Sequence, residues 1–235
     1  MIGDVEVARH GDVAVLTLRR EAKLNALSTH MESRLLDAVR SVGDSRAVVI
    51  TGGDKVFSAG ADTSELKEMT PASIARYYRE SGAVYEAIAA LPQPTVAAIA
   101  GYCLGGGFEL ALAADFRVAD ETAVFGLPEV GIGILPSSGG VTRLVRAVGP
   151  ARTRDLVLRC RRMSAAEAHS WGLLTETVGS GEHLAKALEI AGELAEHPPL
   201  AVSTAKQVIT AAADASRETG LLLEQLAYAT LNRIG

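Results

Sequence analysis

The apolar positions of the chain switch between a repeat of two and a repeat of three to four. Between Val5 and Leu18, residues Val13, Val15 and Thr17 alternate with Ala14, Leu16 and Leu18, and His10-Gly11-Asp12 interrupts the run. This predicts a β-hairpin with its turn at the glycine. Thr29-x-x-Glu32 has the form of a capping box, and Met31, Leu35, Leu36, Val39 and Val42 after it fall on one helical face. Ala47 to Thr51, bounded by Gly52-Gly53, is a short unbroken apolar run, as expected of a strand covered on both faces. Thr70-Pro71 predicts a helix with proline at its first position. Thr95 to Ala100 predicts another strand. Gly101-Tyr102-Cys103-Leu104-Gly105-Gly106-Gly107 then leads into a small-residue helix through about Ala114, and Phe116 to Ala119 is a further strand.

Strand and helix thus alternate over roughly the first 130 residues, the pattern of stacked βαβ units. After Pro136 the helical period dominates. Ser164-x-x-Glu167 is a second capping box with Gly172 as its stop. His183 to His197 and Leu200 to Ala213 predict two helices parted by Pro198-Pro199, and about Ser216 to Leu231 a last one. No repeat of fixed period and no low-complexity tract is present.

Composition narrows the class. A chain of 235 residues suits one domain, or one with a small appendage. With 48% hydrophobic residues it forms a sizeable core. The net charge of −5 provides no basic footprint for nucleic acid, while a few local cations suffice for an anionic substrate. Cys103 and Cys160 lack CxxC spacing and read as buried thiols in a reducing compartment. Met1-Ile2-Gly3-Asp4 lacks the features of a signal peptide. The apolar stretch from Val96 to Ala114 is broken by Gly101, Gly105 to Gly107 and Glu109, so it does not read as a membrane span. The expectation is a cytoplasmic protein.

Three stretches are candidates for chemistry. Phe57-Ser58-Ala59-Gly60-Ala61-Asp62 follows a strand and precedes a helix capped by Asp62, with Glu65 three residues on. It is either an ordinary connecting loop or a place where exposed amides meet negative charge. Gly105-Gly106-Gly107 is harder to explain by packing, because each glycine costs roughly 0.5–1 kcal/mol relative to alanine. The helix that follows directs its amides and positive end at whatever sits there, which suits a carbonyl gaining negative charge. Glu109 lies among Phe108, Leu110, Ala111, Leu112 and Ala113, and is either a dipole-favoured first-turn acid or a functional one. Glu129 is the one charge between Phe125 and Pro136, either a solvent-facing turn acid or part of a site.

Competing signatures are missing from the sequence. Gly-x-Gly-x-x-Gly, the P-loop Gly-Lys pair, Gly-x-Ser-x-Gly and HExxH do not occur. His10, His30, His169, His183 and His197 are scattered and read as surface or capping residues, so no metal site is expected.

These motifs resemble the crotonase family, the enoyl-CoA hydratases and isomerases. The resemblance runs from about Val13 to Val178. It rests on Asn25-Ala26-Leu27-Ser28, Phe57 to Asp62, Gly101 to Leu110, Phe125-Gly126-Leu127-Pro128-Glu129, and Pro136 followed by Gly139-Gly140-Val141-Thr142-Arg143-Leu144. It implies an α/β fold, a crotonase-like spiral of ββα units over residues 1–178, with a helical C-terminal trimerisation region over 179–235. It implies that the Ala61 and Gly106 amides form an oxyanion hole for a thioester oxygen. Glu109 would help deprotonate a water attacking C3, and Glu129 would exchange the proton that reaches C2. Adding water to a conjugated thioester builds enolate charge on oxygen, which calls for donors and an acid–base pair.

By the same resemblance, Ala22, Lys23 and Leu24, together with Ala59, Gly60, Asp62 and Gly105, would bind the coenzyme A thioester, with Lys23 and Arg20 as phosphate partners. Coenzyme A enters as part of the substrate and no separate cofactor is implied. The implied assembly is a homotrimer or a dimer of trimers, without nucleic acid or membrane partners. Two features depart from the family pattern. Ser137 stands where hydratases carry glycine after the proline. The sequence reaches Gly235 where longer members continue with more helix, so pocket shape and subunit contacts are expected to differ. Enoyl-CoA hydratase is the leading expectation, with a Δ3,Δ2-enoyl-CoA isomerase and a non-catalytic acyl-CoA binder as alternatives. Tyr102, Phe108 and Leu127 are either acyl-tunnel or core residues.

Overall fold

The computed structural model describes residues 2–80 and 82–233, with the backbone alone at Tyr78 and Glu80. Met1, Ser81, Ile234 and Gly235, which include both ends of the predicted regions, lie outside the described residues.

The hairpin forms as expected: β1 (Asp4–His10) pairs antiparallel with β2 (Val13–Arg19), and Gly11 turns with a positive φ of 59°. From β2 onward the main sheet is parallel: β3 (Ala47–Thr51), β4 (Thr95–Ile99), β6 (Phe116–Asp120) and β9 (Glu176–Val178) add in turn, in the order β1-β2-β3-β4-β6-β9. A second sheet is formed by β5 (Tyr102–Leu104), β7 (Val124–Gly126) and β8 (Met163–Ser164). Single bridges at Ser58–Cys103 and Leu27–Ala61 carry the second layer on towards the N-terminal half. Each turn of the chain therefore passes through the large sheet, then the small layer, then a helix.

Parity along the strands decides which core each side chain joins. Ala14, Leu16, Val48, Ile50, Ala97, Ile99 and Ala119 face one core, shared with α1 (Thr29–Arg40), α4 (Ala83–Ala89) and α5 (Gly106–Ala113). Val13, Val15, Ala47, Val49, Val96, Ala98 and Val118 face the other, where α8 (His183–Glu196) packs through Ala187, Ala191 and Ala195. Three alanines spaced by four let α8 approach the sheet closely. The remaining helices are α2 (Thr63–Leu66), α3 (Pro71–Glu80), α6 (Gly140–Leu158, kinked at Gly149), α7 (Ala165–Ser170), α9 (Pro199–Ala212) and α10 (Arg217–Leu231). Ser164 caps α7 by accepting from the Glu167 amide, and Pro71 and Pro199 each open their helices. No helix among the described residues is long and apolar enough to cross a membrane.

Several local expectations are corrected. The cap of α1 is Ser28, which accepts from the Met31 amide at 3.2 Å, one residue before the predicted Thr29. The Thr29 amide instead donates to Glu65 Oε2 at 2.9 Å, and Glu32 turns inward. The stretch after Gly101 contains a short strand that the sequence pattern did not mark: Tyr102 to Leu104 pairs with Val124 to Gly126. His183 is fully buried rather than at the surface, with Nδ1 3.4 Å from Asp120 Oδ2 and Nε2 3.3 Å from the Gly53 carbonyl. Cys103 is buried as expected, whereas Cys160 is only half-buried.

Candidate active site

Two loops converge at the start of α5. Leu27 donates its amide to Gly60 O at 2.8 Å, and Asp62 donates to Leu27 O at 2.9 Å. Those two bonds flank Ala61, so the Ala61 amide points to the opposite side of that bridge. Gly106 is the first residue of α5, and its amide has no acceptor within the helix. A Cβ built on Gly106 would stand 3.5 Å from the Ala61 nitrogen, so the two amides are neighbours.

Each glycine of the triplet meets a different obstacle. At Gly105, φ is 52° and a Cβ would lie 2.6 Å from Glu129 Oε1. At Gly106 it would lie 3.1 Å from the Tyr85 hydroxyl, and at Gly107 2.7 Å from the Ser58 carbonyl oxygen. Real Cβ contacts this close are rare; at Gly107 the obstacle is backbone that cannot rotate away, whereas at Gly105 and Gly106 it is the end of a side chain facing the cavity. The conformational cost noted from sequence is thus offset by close approach of three separate neighbours.

Glu109 projects from the first turn of α5 and is buried, at 4% exposure. Its Oε1 accepts from the Ser138 and Gly140 amides, both at 2.8 Å. Burial raises its pKa above the usual carboxylate value, opposed by those amides and by the Arg143 guanidinium. Arg143 braces the same turn: Nη1 donates to Ser138 O at 2.8 Å and Nη2 to Glu86 at 2.6 Å.

Glu129 opens a 3₁₀ turn (Glu129–Ile132) behind Pro128. Its Oε2 is buried without a hydrogen-bond partner among the described residues. Burial pushes its carboxyl up to about 7, and the like charge of Glu109 adds to the effect. A cavity of about 50 Å³ is lined by Ala61, Leu66, Tyr77, Tyr85, Gly106, Glu109, Glu129, Ile134, Ser137 and Ser138. The two acids and the two amide-bearing residues singled out from the sequence therefore share one small space. Glu109 is thus held by main-chain donors, whereas Glu129 Oε2 has no hydrogen-bond partner among the described residues. That asymmetry suits one group to accept a proton and the other to release one.

The other predicted positions separate. Glu21–Lys23 is an exposed 3₁₀ turn that includes Ala22 and Lys23. Leu24, with φ 51°, accepts the Ala59 amide at 2.9 Å, which ties this segment to the Ala59–Asp62 loop. Leu24 also borders an open groove of about 450 Å³ with Lys55, Tyr102 and Val124. Gly60 packs close to Leu104 O and the Gly106 nitrogen. Asp62 caps α2 and pairs with Arg20 at 2.8 Å, both side chains nearly buried. Arg20, expected as a phosphate partner, is engaged inside the protein, where Asp62 and the Ala26 carbonyl hold it.

Phe108 and Leu127 are core residues, and Tyr102 lies at the surface beneath Arg162. Leu66, Tyr77, Tyr85 and Ile134 line the cavity instead, and none stood out in the sequence. One signal was present: Glu32, with Leu35, Leu36 and Val39, lies on the apolar face of α1, where a charge is out of place. Among the described residues, no group of three or more His, Cys, Asp or Glu is arranged to hold a metal ion.

The sequence model of the enoyl-CoA hydratase/isomerase family matches residues 8–233. A short-chain-enoyl-CoA hydratase of Clostridium acetobutylicum is 35% identical over 231 residues, covering 97% of this chain and 88% of that one. The crystal structure of an enoyl-CoA hydratase from Bacillus anthracis superposes with a TM-score of 0.90 at 37% identity, over 96% of this chain and 90% of that chain. One from Thermoplasma volcanium superposes with a TM-score of 0.91 at 34% identity, over 97% and 92%. Matched nearly end to end in sequence and fold, with Gly106 and two acids around one cavity, the chain belongs to the enoyl-CoA hydratase/isomerase family.

Proposed function

We propose that this protein hydrates 2-enoyl-CoA thioesters at the cavity between Glu109 and Glu129. The observation that carries this reading is the shared lining: two acids and the two amide-bearing residues meet in one space of about 50 Å³. The thioester oxygen accepts from the Ala61 and Gly106 amides, and the acyl carbons lie between the acids. Water attacks C3 and its oxygen forms the new C–O bond. Its proton passes to Glu109, and the C2–C3 electron pair moves to the thioester oxygen as an enolate. The enolate collapses as C2 takes a proton from Glu129. A proton then returns from Glu109 to Glu129, so both acids are restored. The amides match charge as it develops, which is where donors lower a barrier most. A carboxyl held at about 7 suits Glu129 to carry a proton at neutral pH.

The exposed Ala22-Lys23-Leu24 segment and the neighbouring Ala59-Gly60-Ala61-Asp62 loop receive the coenzyme A portion, with Gly105 leaving room beside the thioester. The α9–α10 hairpin supports assembly into a homotrimer or a dimer of trimers. It leaves Ile209, Leu222, Leu226 and Tyr228 exposed, the last at 73%.

The test is the loss of conjugated-thioester absorbance with crotonyl-CoA and longer 2-enoyl-CoAs. We expect turnover that falls by at least about 100-fold in Glu109→Gln and in Glu129→Gln. No hydration of any chain length would overturn the reading. Conversion of a 3-enoyl-CoA instead would make the protein an isomerase.

A further inference from the structure

A third carboxyl stands behind the cavity wall. Glu32 is 0% exposed, on the face of α1 that packs against α4. Its Oε1 accepts the Tyr85 hydroxyl at 2.6 Å and the Tyr77 hydroxyl at 2.9 Å. Both tyrosines line the cavity, whereas Glu32 itself does not. Tyr85 in turn abuts the first residue of α5, since a Cβ on Gly106 would meet its hydroxyl at 3.1 Å. An unbroken line of contacts runs from Glu32 through Tyr85 to one of the two amide-bearing residues.

The charge state of this group matters to that line. Glu32 Oε2 is buried without a hydrogen-bond partner among the described residues. The titratable groups that face Glu32 are Tyr77 from α3, Tyr85 from α4, Glu109 from α5 and Glu65 from α2. No cation lies within ion-pair distance of it among the described residues. A carboxylate in such surroundings has two hydroxyl donors and no counter-charge, while its neutral form keeps both hydroxyl bonds at no ionic cost. Burial accordingly pushes the Glu32 carboxyl up to about 7, with Glu109 and Glu65 adding to the effect.

Building on the hydratase reading above, we propose that Glu32 is a positioning residue of this site. In its neutral form it holds the Tyr77 and Tyr85 hydroxyls as the wall beside Gly106. When ionised it sets a negative charge behind the place where the thioester oxygen becomes negative. Like charge there opposes the enolate, and its effect at short range through protein is on the order of tenfold in rate. The substrate never touches Glu32. Its influence passes through Tyr85 and through the field.

The experiment compares pH profiles of kcat and kcat/KM for crotonyl-CoA in the wild type, Glu32→Gln, Glu32→Leu and Tyr85→Phe. Glutamine keeps an oxygen that accepts from both tyrosines and has no proton to lose. We expect Glu32→Gln to lose less than about tenfold in kcat and to show a shallower fall in kcat/KM above neutral pH than the wild type, because one of two ionisations is gone. Glu32→Leu and Tyr85→Phe lose kcat with little change in KM. A Glu32→Gln profile that overlays the wild type would overturn the proposal, as would a fully active Glu32→Leu. Wild-type turnover in the same assay shows separately whether the hydratase reading stands. Infrared difference titration of the ligand-free protein reads Glu32 without turnover. A protonated-carboxyl band that titrates near neutral, persists in Glu129→Gln and vanishes in Glu32→Gln is expected. Its absence from the wild type would also overturn the proposal.

Discussion

A Cβ on Gly140 would lie 2.6 Å from Cγ of Glu109, and the Gly140 amide donates to that same side chain at 2.8 Å. The Glu109 side chain thus fills the space that a β-carbon on Gly140 would need. Gly140→Ala is expected to displace Glu109 by about an ångström, enough to lower kcat/KM on the order of 100-fold. Overpacking adds a stability loss of about 1–3 kcal/mol. Steady-state kinetics beside a thermal melt separate the two effects, and unchanged kinetics in a folded variant would rule out this placement of Glu109.

Ala61→Pro removes one main-chain donor and leaves the neighbouring bridge intact, since that bridge uses Gly60 O, Leu27 and the Asp62 amide. Loss of one donor to a developing oxyanion costs about 100- to 1,000-fold in kcat. The expected result is that loss with KM changed far less. A variant that binds acyl-CoA normally and turns it over at the wild-type rate would remove Ala61 from the mechanism.

Asn25 fastens the approach to the site. Its side chain accepts the Arg20 amide at 2.8 Å and donates to Gly52 O at 2.8 Å and Val56 O at 3.0 Å, all from a residue with φ 51°. Asn25→Ala strands buried backbone groups and puts alanine in a left-handed conformation that asparagine tolerates better. A loss of about 3–5 kcal/mol is expected in urea denaturation. A loss below about 1 kcal/mol would show that these bonds are replaced by water.

Stability should carry the signature of the buried acids. The Glu32 carboxyl sits at about 7 in the folded protein against 4.5 ordinarily, so between those values the folded state binds the extra proton. Its stabilising contribution is complete at low pH and is lost as pH rises through about 7. Between pH 5 and 8 the wild type should lose on the order of 3 kcal/mol that Glu32→Gln retains. Glu129 acts in the same direction but is partly open to solvent, so its share is smaller. Urea unfolding at several pH values checks this, and parallel curves for the two proteins would refute it.

How much of this was legible in the sequence depended on how far each interaction reaches. Alternation in Val13 to Leu18 and the unbroken Ala47–Thr51 run specify strands because each residue reports its own face. Ser164, Pro71 and Asp62 specify helix starts because a cap spans only three residues. The glycine triplet, Glu109 and Glu129 stood out because each is costly where it stands, and Gly106, Glu109 and Glu129 do line one cavity. Their assigned roles come from the family pattern and not from local chemistry.

The tertiary structure decided what had to be supplied from far away. The strands of two or three residues at Tyr102–Leu104, Val124–Gly126, Met163–Ser164 and Glu176–Val178 exist through pairing with distant partners, and a pattern that short carries no period. Thr29 and Glu32 matched a capping box in sequence, yet Ser28 took the cap once Glu65 reached the Thr29 amide and two tyrosines reached Glu32. The main-chain donors to Glu109 come from Ser138 and Gly140, and every residue type but proline carries such an amide. Sequence determined which faces are buried and which residues are expensive. Only the folded chain determined which distant groups offset that expense, because desolvated charges and amides are satisfied by neighbours in space and not by neighbours in sequence.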